Sequence, residues 1–282
     1  IEAFSYALVN ARIDRVDPRF TMLRTEIDEI AFPSLHCENA LNPPSVPSNL
    51  LQLERVLGYS ARTTRDSVKY TSQGKIIYPA ASTVVVYDKV KDKQTHFMGH
   101  DDEVTALGMH RTSGIVASAQ RSSGDVTLCV WSPDDDCSLK QRISLGAVYG
   151  VSALEFSQNG RFVVATCLDA NHTVMVIDWA AGIIRSKASV GPKKTLCVAI
   201  SQEPDTLNGT IRLLTGGVNS FALHNLTGLS FNSKTGLYGQ RKTSVLCCAS
   251  LPLPVEGGNE FLLGCADGNV GIVTRGDRRA AF

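Results

Sequence analysis

The segment VTALGMH, residues 104–110, predicts the fold because close variants of it recur along the chain. The variants are VSALEFS from Val151, TLCVAIS from Thr195 and VLCCASL from Val245, so the starting points lie 47, 44 and 50 residues apart. Each is a short run rich in apolar residues, which is typical of a buried strand. A strand that returns at this spacing predicts a β-propeller in which each repeat forms one blade.

Other strand types follow in a fixed order within each repeat. One type has its corresponding positions at Tyr87, Trp131, Ile177, His224 and Val273, at steps of 44, 46, 47 and 49 residues. Another, such as RFVVATC from Arg161, lies between these two types, and CSLKQRIS and GIIRSKASV fit a weaker fourth strand. A lone four-stranded sheet leaves a face uncovered, so we expect the sheets to stack on one another from residue 50 to residue 275.

The sequence therefore predicts an all-β propeller with five visible blades. The last repeat ends in RGDRRAAF, residues 275–282, without an obvious return strand. We expect these blades to form part of a larger or tandem propeller. A terminal blade with an uncovered face should make the segment unstable or prone to aggregation in isolation.

The N-terminal part of the chain lacks the strand repeats and has a different sequence pattern. Residues 1–32 have apolar residues at roughly helical spacing, and Asp17-Pro18 is a good helix start, so we predict a helical extension. Residues 33–49 contain four prolines and read as an extended linker. The expected organisation is completed by a first blade over residues 50–99 and further blades over residues 100–282.

Composition narrows the class of function. The formal net charge is +1, which gives no overall attraction to nucleic acid, and no apolar run approaches the length of a membrane span. The eight cysteines lie mostly in strand-like runs and form no CxxC motif, which favours a reducing, intracellular setting. No cofactor motif occurs, and neither a phosphate-binding loop nor a hydrolase signature is present, so we expect a non-catalytic protein.

Two clusters could suggest metal binding, but simpler explanations are available. His96 and His100 have the i, i+4 spacing of a helical metal site, yet they flank a blade boundary marked by Gly99. The acidic run at residues 134–136 follows Pro133 and is typical of a solvated turn, because no full calcium-loop pattern follows it.

The second repeat has the marks of a known family. Gly99-His100 opens it and Trp131 closes it, which resembles a WD40 repeat. That resemblance implies that Gly99, His100 and Trp131 have structural roles, in a hydrogen-bonded network within the blade. The later repeats lack clean versions of both ends, so the chain resembles a degenerate WD40 protein.

The stretch from residue 50 to residue 100 resembles the HELP motif and following repeat of the echinoderm microtubule-associated protein-like (EMAP-like) family. The residues that carry the likeness are Leu53-Glu54, Gly58-Tyr59, Arg62, Arg65, Gly74, the Ala81–Tyr87 strand and Gly99-His100. A later segment, GLSFNSKTGLYGQRKTSVLCCASL, is also similar to this family. The chain departs from the pattern at Arg55-Val56, where an aromatic residue is common, and at His224, which replaces an aromatic residue at a blade end.

The resemblance implies a protein that binds tubulin or the microtubule lattice, or an axonemal assembly. Its expected location is the cytoplasmic cytoskeleton or the axoneme of a cilium or flagellum, and its partners would include the remainder of its own propeller or a tandem propeller. The alternative is a generic WD40 scaffold that does not contact tubulin. Because tubulin presents an acidic surface, the candidate partner-binding residues are basic: Arg62, Arg65, Lys69, Lys89, Lys91, Lys93, Arg241 and Lys242.

Overall fold

A computed structural model describes residues 53–146, 148–201, 210–237, 242–251, 259–274 and 280–281. The predicted helical extension (residues 1–32) and linker (residues 33–49) lie outside these ranges. Within them the chain forms β-strands and no helix, which confirms the all-β prediction. The strands form five four-stranded antiparallel sheets, so the five predicted blades are present.

The blades, named A to E, follow one another along the chain, and neighbouring strands in sequence pair within each sheet. Blade A contains β1 (Lys69–Tyr70), β2 (Ile76–Ala80), β3 (Thr83–Asp88) and β4 (Lys93–Phe97). Blade B contains β5 (Val104–Met109), β6 (Val116–Gln120), β7 (Thr127–Ser132) and β8 (Ser138–Ser144). Blade C contains β9 (Val151–Phe156), β10 (Phe162–Cys167), β11 (Val174–Asp178) and β12 (Ile183–Ala188).

The two remaining blades complete the series. Blade D contains β13 (Thr195–Ile200), β14 (Thr210–Gly217), β15 (Ser220–Thr227) and β16 (Ser230–Thr235). Blade E contains β17 (Val245–Ser250), β18 (Asn259–Cys265), β19 (Val270–Thr274) and β20 (Ala280–Ala281). The expectation that the last repeat lacks a return strand was wrong, because β20 pairs with β19 through Ala280 and Ala281.

Burial explains why some strands are easier to predict than others. All five residues of β11 are buried, as are the three valines of β3, because a central strand has a sheet on both of its faces. The first strands stack in series, β5 on β9, β9 on β13 and β13 on β17. The fourth strands β8 and β12 are mostly half-buried or exposed, so their sequences keep polar residues and lose the continuous apolar signal.

An apolar cluster fills each interface between successive blades. Phe97 and Trp131 share the cluster between blades A and B, Leu128 and Met175 that between B and C, Val176 and Leu213 that between C and D, and Phe221 and Phe261 that between D and E. This arrangement explains the repetition in the sequence, because each blade buries its faces only against its neighbours.

The outer face of blade E differs from the faces inside the stack. Ala249, Leu262 and Ile272 form one cross-strand row, and Cys247, Gly264 and Val270 form the next. Val270 is 60% exposed, and Ala249 and Cys247 are exposed as well. The opposite face of the same sheet is buried against blade D through Phe261, Leu263 and Val273.

In the described ranges, the chain has no helix that is long and apolar enough to cross a membrane.

Candidate functional site

The segment before β1, residues 53–68, is the lead segment, and backbone and side-chain hydrogen bonds fix its position and its shape. The Ser60 N–H donates to the carbonyl of Pro79 at 3.1 Å, which ties the segment to β2. The Thr64 hydroxyl donates to the Ser60 carbonyl, and the Ser67 hydroxyl donates to Thr64 Oγ1 at 3.0 Å. Thr64 and Ser67 are buried, so the segment has a fixed shape although it forms no strand.

The start of the lead segment is attached to β4. Gln94 Oε1 accepts a hydrogen bond from the Val56 N–H at 2.7 Å, and Gln94 Nε2 donates to the Val56 carbonyl at 3.3 Å. Arg55 forms an ion pair with Asp92 at 3.0 Å. Sequence comparison marked Arg55-Val56 only as a departure from the family pattern. The structure shows that both residues connect the lead segment to blade A.

The turn between β3 and β4, with the first residue of β4, carries three predicted basic residues: Lys89, Lys91 and Lys93, here called the lysine hairpin. Asp88 shapes the turn, because its carboxylate accepts hydrogen bonds from the N–H groups of Val90 and Lys91 at 3.0 and 3.1 Å. The three lysines are exposed. Lys93 begins β4, so the predicted basic loop extends one residue into a strand.

The neighbouring carboxylate does not neutralise the lysine hairpin. Asp92 pairs with Arg55 and accepts a hydrogen bond from the Tyr87 hydroxyl at 2.9 Å. The Arg55 hydrogen bond, with that of Tyr87, lowers the pKa of Asp92. Since no residue of the described chain forms an ion pair with the three lysines, their charges are available to a partner.

The other predicted basic residues are not in one cluster. Arg62 and Arg65 are exposed and line a cavity of about 450 Å³. Lys69, by contrast, forms an ion pair with Asp66 at 2.6 Å, and its side chain is 17% exposed. Lys242 is exposed just before β17, and Arg241 lies outside the described residues.

The cavity is bounded by the lead segment and by the first strands of four blades. Its wall contains Ala61, Leu107 of β5, Leu154 of β9, Val198 of β13 and Leu246 of β17. The lead segment therefore closes a space towards which the four strands converge.

Glu155 of β9 is a functional candidate that sequence reasoning missed. Its carboxyl lines the cavity, and burial raises its pKa to about 7. The signal was a lone carboxylate within the apolar strand VSALEF, where an acidic residue is out of place unless it has a partner. A strongly shifted group in a cavity indicates a binding site more often than an unshifted one on the surface.

Two of the WD40-like residues, His100 and Trp131, meet in a hydrogen-bonded cluster in blade B. His100 Nδ1 donates to Gln120 Oε1 at 3.0 Å, and His100 Nε2 accepts from the Ser118 hydroxyl at 2.6 Å. The Trp131 Nε1–H donates to the same hydroxyl oxygen at 3.0 Å. A Cβ at position 99 would overlap the ring of Phe97, which accounts for Gly99.

Blade D contains a second buried histidine in a comparable network. His224 is fully buried, with Nε2 2.8 Å from Thr215 Oγ1 and Nδ1 2.8 Å from Ser233 Oγ. Its hydrogen bonds cross from β14 to β15 and on to β16. The residue that departs from the family pattern therefore joins three strands of its own blade.

Two buried cysteine thiols in the described part of the chain have strongly raised pKa values. Burial raises the pKa of the Cys129 and Cys167 thiols to about 11 and about 12, which keeps them protonated and poorly nucleophilic. A search of the described residues found no group of three or more His, Cys, Asp or Glu side chains able to hold a metal ion.

These features define a β-propeller of the WD-repeat type, with an ordered lead segment before its first blade. Residues 46–85 match the family model of the HELP motif, and this range covers the lead segment and most of blade A. The chain is 28% identical over 250 residues to echinoderm microtubule-associated protein-like 2 of Mus musculus, covering 83% of this chain and 36% of that protein.

Two further relatives have similar levels of identity. The 77 kDa echinoderm microtubule-associated protein of Strongylocentrotus purpuratus is 26% identical over 251 residues, covering 86% of this chain and 35% of that protein. The ciliary WD repeat-containing protein ctxp80 of Euplotoides octocarinatus is 26% identical over 240 residues, covering 79% of this chain and 32% of that protein. The chain thus spans about a third of the length of the curated relatives it matches. The predicted resemblance to the EMAP-like family and its HELP motif is confirmed.

Proposed function

We propose that this protein is a non-catalytic, microtubule-associated β-propeller. The observation that carries the proposal is the HELP match at residues 46–85, together with similarity over most of the chain to proteins named as microtubule-associated. The expected setting is the cytoskeleton, and the likeness to a ciliary WD-repeat protein extends it to the axoneme. Further propeller blades, of its own or of a tandem propeller, are proposed to cover the outer face of blade E.

The lysine hairpin is the part of the surface best suited to contact tubulin. Its three charges are exposed and have no carboxylate partner among the described residues, while the formal net charge of the chain is only +1. Long-range attraction to an acidic surface is therefore weak, and binding must depend on local charge complementarity. Arg62 and Arg65 supply a second exposed basic group beside the cavity.

Charge reversal of the lysine hairpin tests this proposal. We expect replacement of Lys89, Lys91 and Lys93 by Glu to weaken co-sedimentation with microtubules and to reduce its dependence on salt. The matched control replaces Lys187, Lys194 and Lys234 by Glu, since these lysines are also exposed but lie in β12, just before β13 and in β16. Both triple variants should melt close to the parent, because surface substitutions away from specific contacts change the free energy of unfolding by about 0.5 kcal/mol or less.

The outcomes separate contact from general charge. Equal loss of binding in both triple variants would mean that only overall charge matters. Unchanged binding of the hairpin variant would show that the lysine hairpin does not carry the contact. Arg62 with Arg65, and then Arg241 with Lys242, would be replaced by Glu in the same assay. If the parent chain stays in the supernatant at every salt concentration, direct microtubule binding is wrong and a scaffold for another protein takes its place.

A further inference from the structure

The cavity beside the lead segment contains a carboxyl group that no part of the fold uses. Glu155 lies on β9 and lines the cavity with the strands of blades B, D and E. Among the residues that the structure describes, none forms a hydrogen bond or ion pair with its carboxylate. The side chain is half-buried, so water solvates its carboxylate incompletely, and a cationic ligand would supply the partner that the described residues do not.

The charges around Glu155 leave it without a counterion. Among the cations, Lys69 lowers the pKa of Glu155 most, but it forms an ion pair with Asp66 at 2.6 Å, and Asp66 raises that pKa. Arg111, which is exposed, also lowers the pKa of Glu155, but less than Lys69 does. Cys248 also lines the cavity, and its thiol has a raised pKa, so it stays protonated and neutral.

We propose that this cavity binds a protonated alkylamine, presented either as a lysine side chain of a peptide segment or as a free amine. The volume of about 450 Å³ lies within the range of roughly 300–1,000 Å³ that is typical of small-ligand sites. The apolar wall, which includes Leu107, Leu154 and Val198, suits the methylene chain, and the carboxylate of Glu155 suits the ammonium group.

The exposed arginines at the cavity restrict which peptide would enter. Arg62 and Arg65 oppose a run of basic residues but favour a lysine with acidic neighbours. The site depends on Glu155 and the apolar cavity wall and does not use the lysine hairpin, although Arg62 and Arg65 border the cavity and also form the second basic group of the microtubule proposal.

Ligand binding is linked to the ionisation of Glu155. An ammonium group beside the carboxylate favours its charged form, so binding lowers the pKa of Glu155 and releases protons near neutral pH. Affinity therefore rises as pH increases from 6 towards 8, within the range in which the amine stays protonated.

The test uses the full chain and three probes. Isothermal titration calorimetry would measure binding of a capped Glu-Lys-Glu tripeptide, the same peptide with norleucine in place of lysine, and n-butylamine. We expect the lysine peptide to bind at least about tenfold more tightly than the norleucine peptide, since a hydrogen bond to a charged group is among the stronger polar contacts. Carbon-detected NMR of the Glu155 carboxyl should show its pKa fall when the peptide is bound.

Matched variants complete the test. Glu155→Gln should weaken binding of the lysine peptide about tenfold, whereas Glu54→Gln, the same substitution at an exposed position outside the cavity wall, should leave binding unchanged. Binding of n-butylamine alone, with the same dependence on Glu155, would assign the site to free amines and reject the peptide source. Equal affinity of Glu155→Gln and the parent, or no binding of either amine at millimolar concentration, would overturn the proposal.

Discussion

Ser118 shows how one small side chain organises a blade. Its hydroxyl accepts from the Trp131 indole N–H at 3.0 Å and donates to His100 Nε2 at 2.6 Å, so both neighbours are satisfied in a buried site. The Trp131 ring is fully buried and stacks on Phe97, with ring centroids 4.5 Å apart. The residue therefore stabilises blade B and its contact with blade A at the same time.

Truncation of Trp131 tests this structural role. We expect Trp131→Ala to reduce the free energy of unfolding by about 3–5 kcal/mol, because it leaves a large cavity between two blades. Trp131→Phe should cost less, since it keeps a stacked ring, although it loses the hydrogen bond to Ser118 and part of the buried ring volume. Urea denaturation measures both. A fully stable Trp131→Ala variant that had lost partner binding would instead make Trp131 an interface residue.

The two buried histidines predict a loss of stability at acidic pH. Burial lowers the pKa of His100 and of His224 from 6.5 to about 4. Between these values the unfolded chain binds more protons than the folded chain, so stability falls as pH decreases from 6.5 to 4. At 1.36 kcal/mol per pKa unit, each histidine contributes up to roughly 3 kcal/mol.

The titration of Glu155 has the opposite effect on stability from that of the histidines, between about pH 7 and pH 4.5. Its folded pKa is raised from 4.5 to about 7, so its contribution to stability is present below pH 4.5 and is lost as pH rises through 7. We expect Glu155→Gln to steepen the fall in unfolding free energy between pH 7 and pH 4.5. Urea titrations at several pH values would measure the slopes, and an unchanged slope in Glu155→Gln would contradict the assigned burial of this carboxyl.

The lead segment depends on side-chain contacts in place of a strand ladder. Gln94 makes two hydrogen bonds to the backbone of Val56, at 2.7 and 3.3 Å, and so substitutes for a neighbouring strand. We expect Gln94→Leu to increase amide hydrogen exchange at Val56 while exchange in β2 and β3 stays slow. Asp92→Asn is the companion variant, because it weakens the exposed Arg55 ion pair, which contributes less. Unchanged exchange in Gln94→Leu would show that backbone contacts alone position the segment.

Buried strands could be predicted from the sequence, whereas the short strand β20 and side-chain contacts between distant residues could not. The strands from Val104, Val151, Thr195 and Val245 were predictable because burial against other blades enforces apolar residues. The short strand β20 was missed because the sequence before it is charged and gives no apolar pattern. The pairing of Gln94 with Val56 joins residues 38 positions apart, and no local pattern encodes it.

The candidate site was predictable to a smaller extent. The exposure of Lys89 and Lys91 follows from their place in a polar turn, which a hairpin pattern indicates. The pairing of Lys69 with Asp66 was not predictable, because it depends on the fold of the lead segment. Glu155 could not be predicted as a candidate, because the cavity that it lines is formed only when the lead segment and four blades come together in the fold.

At the scale of the whole molecule, each blade buries its faces against its neighbours, and the outer face of blade E leaves apolar residues exposed. Val270 is 60% exposed there, and Cys247 and Ala249 are exposed with it, although the sheet has the composition of an interior blade. An uncovered apolar sheet face promotes association between molecules. We therefore expect the chain to self-associate as its concentration rises, with sedimentation velocity as the measurement.

Charged substitutions on this face should reverse the association. Ala249→Glu combined with Val270→Glu places two negative charges in adjacent cross-strand rows, so stacking would desolvate both and become unfavourable. The matched control is Leu229→Glu, because Leu229 is 73% exposed but lies in the turn between β15 and β16 of blade D. We expect the double variant to sediment as a monomer at concentrations where the parent and the control associate. If the parent is monomeric throughout, or if the control dissociates as fully as the double variant, the outer face of blade E is not the contact.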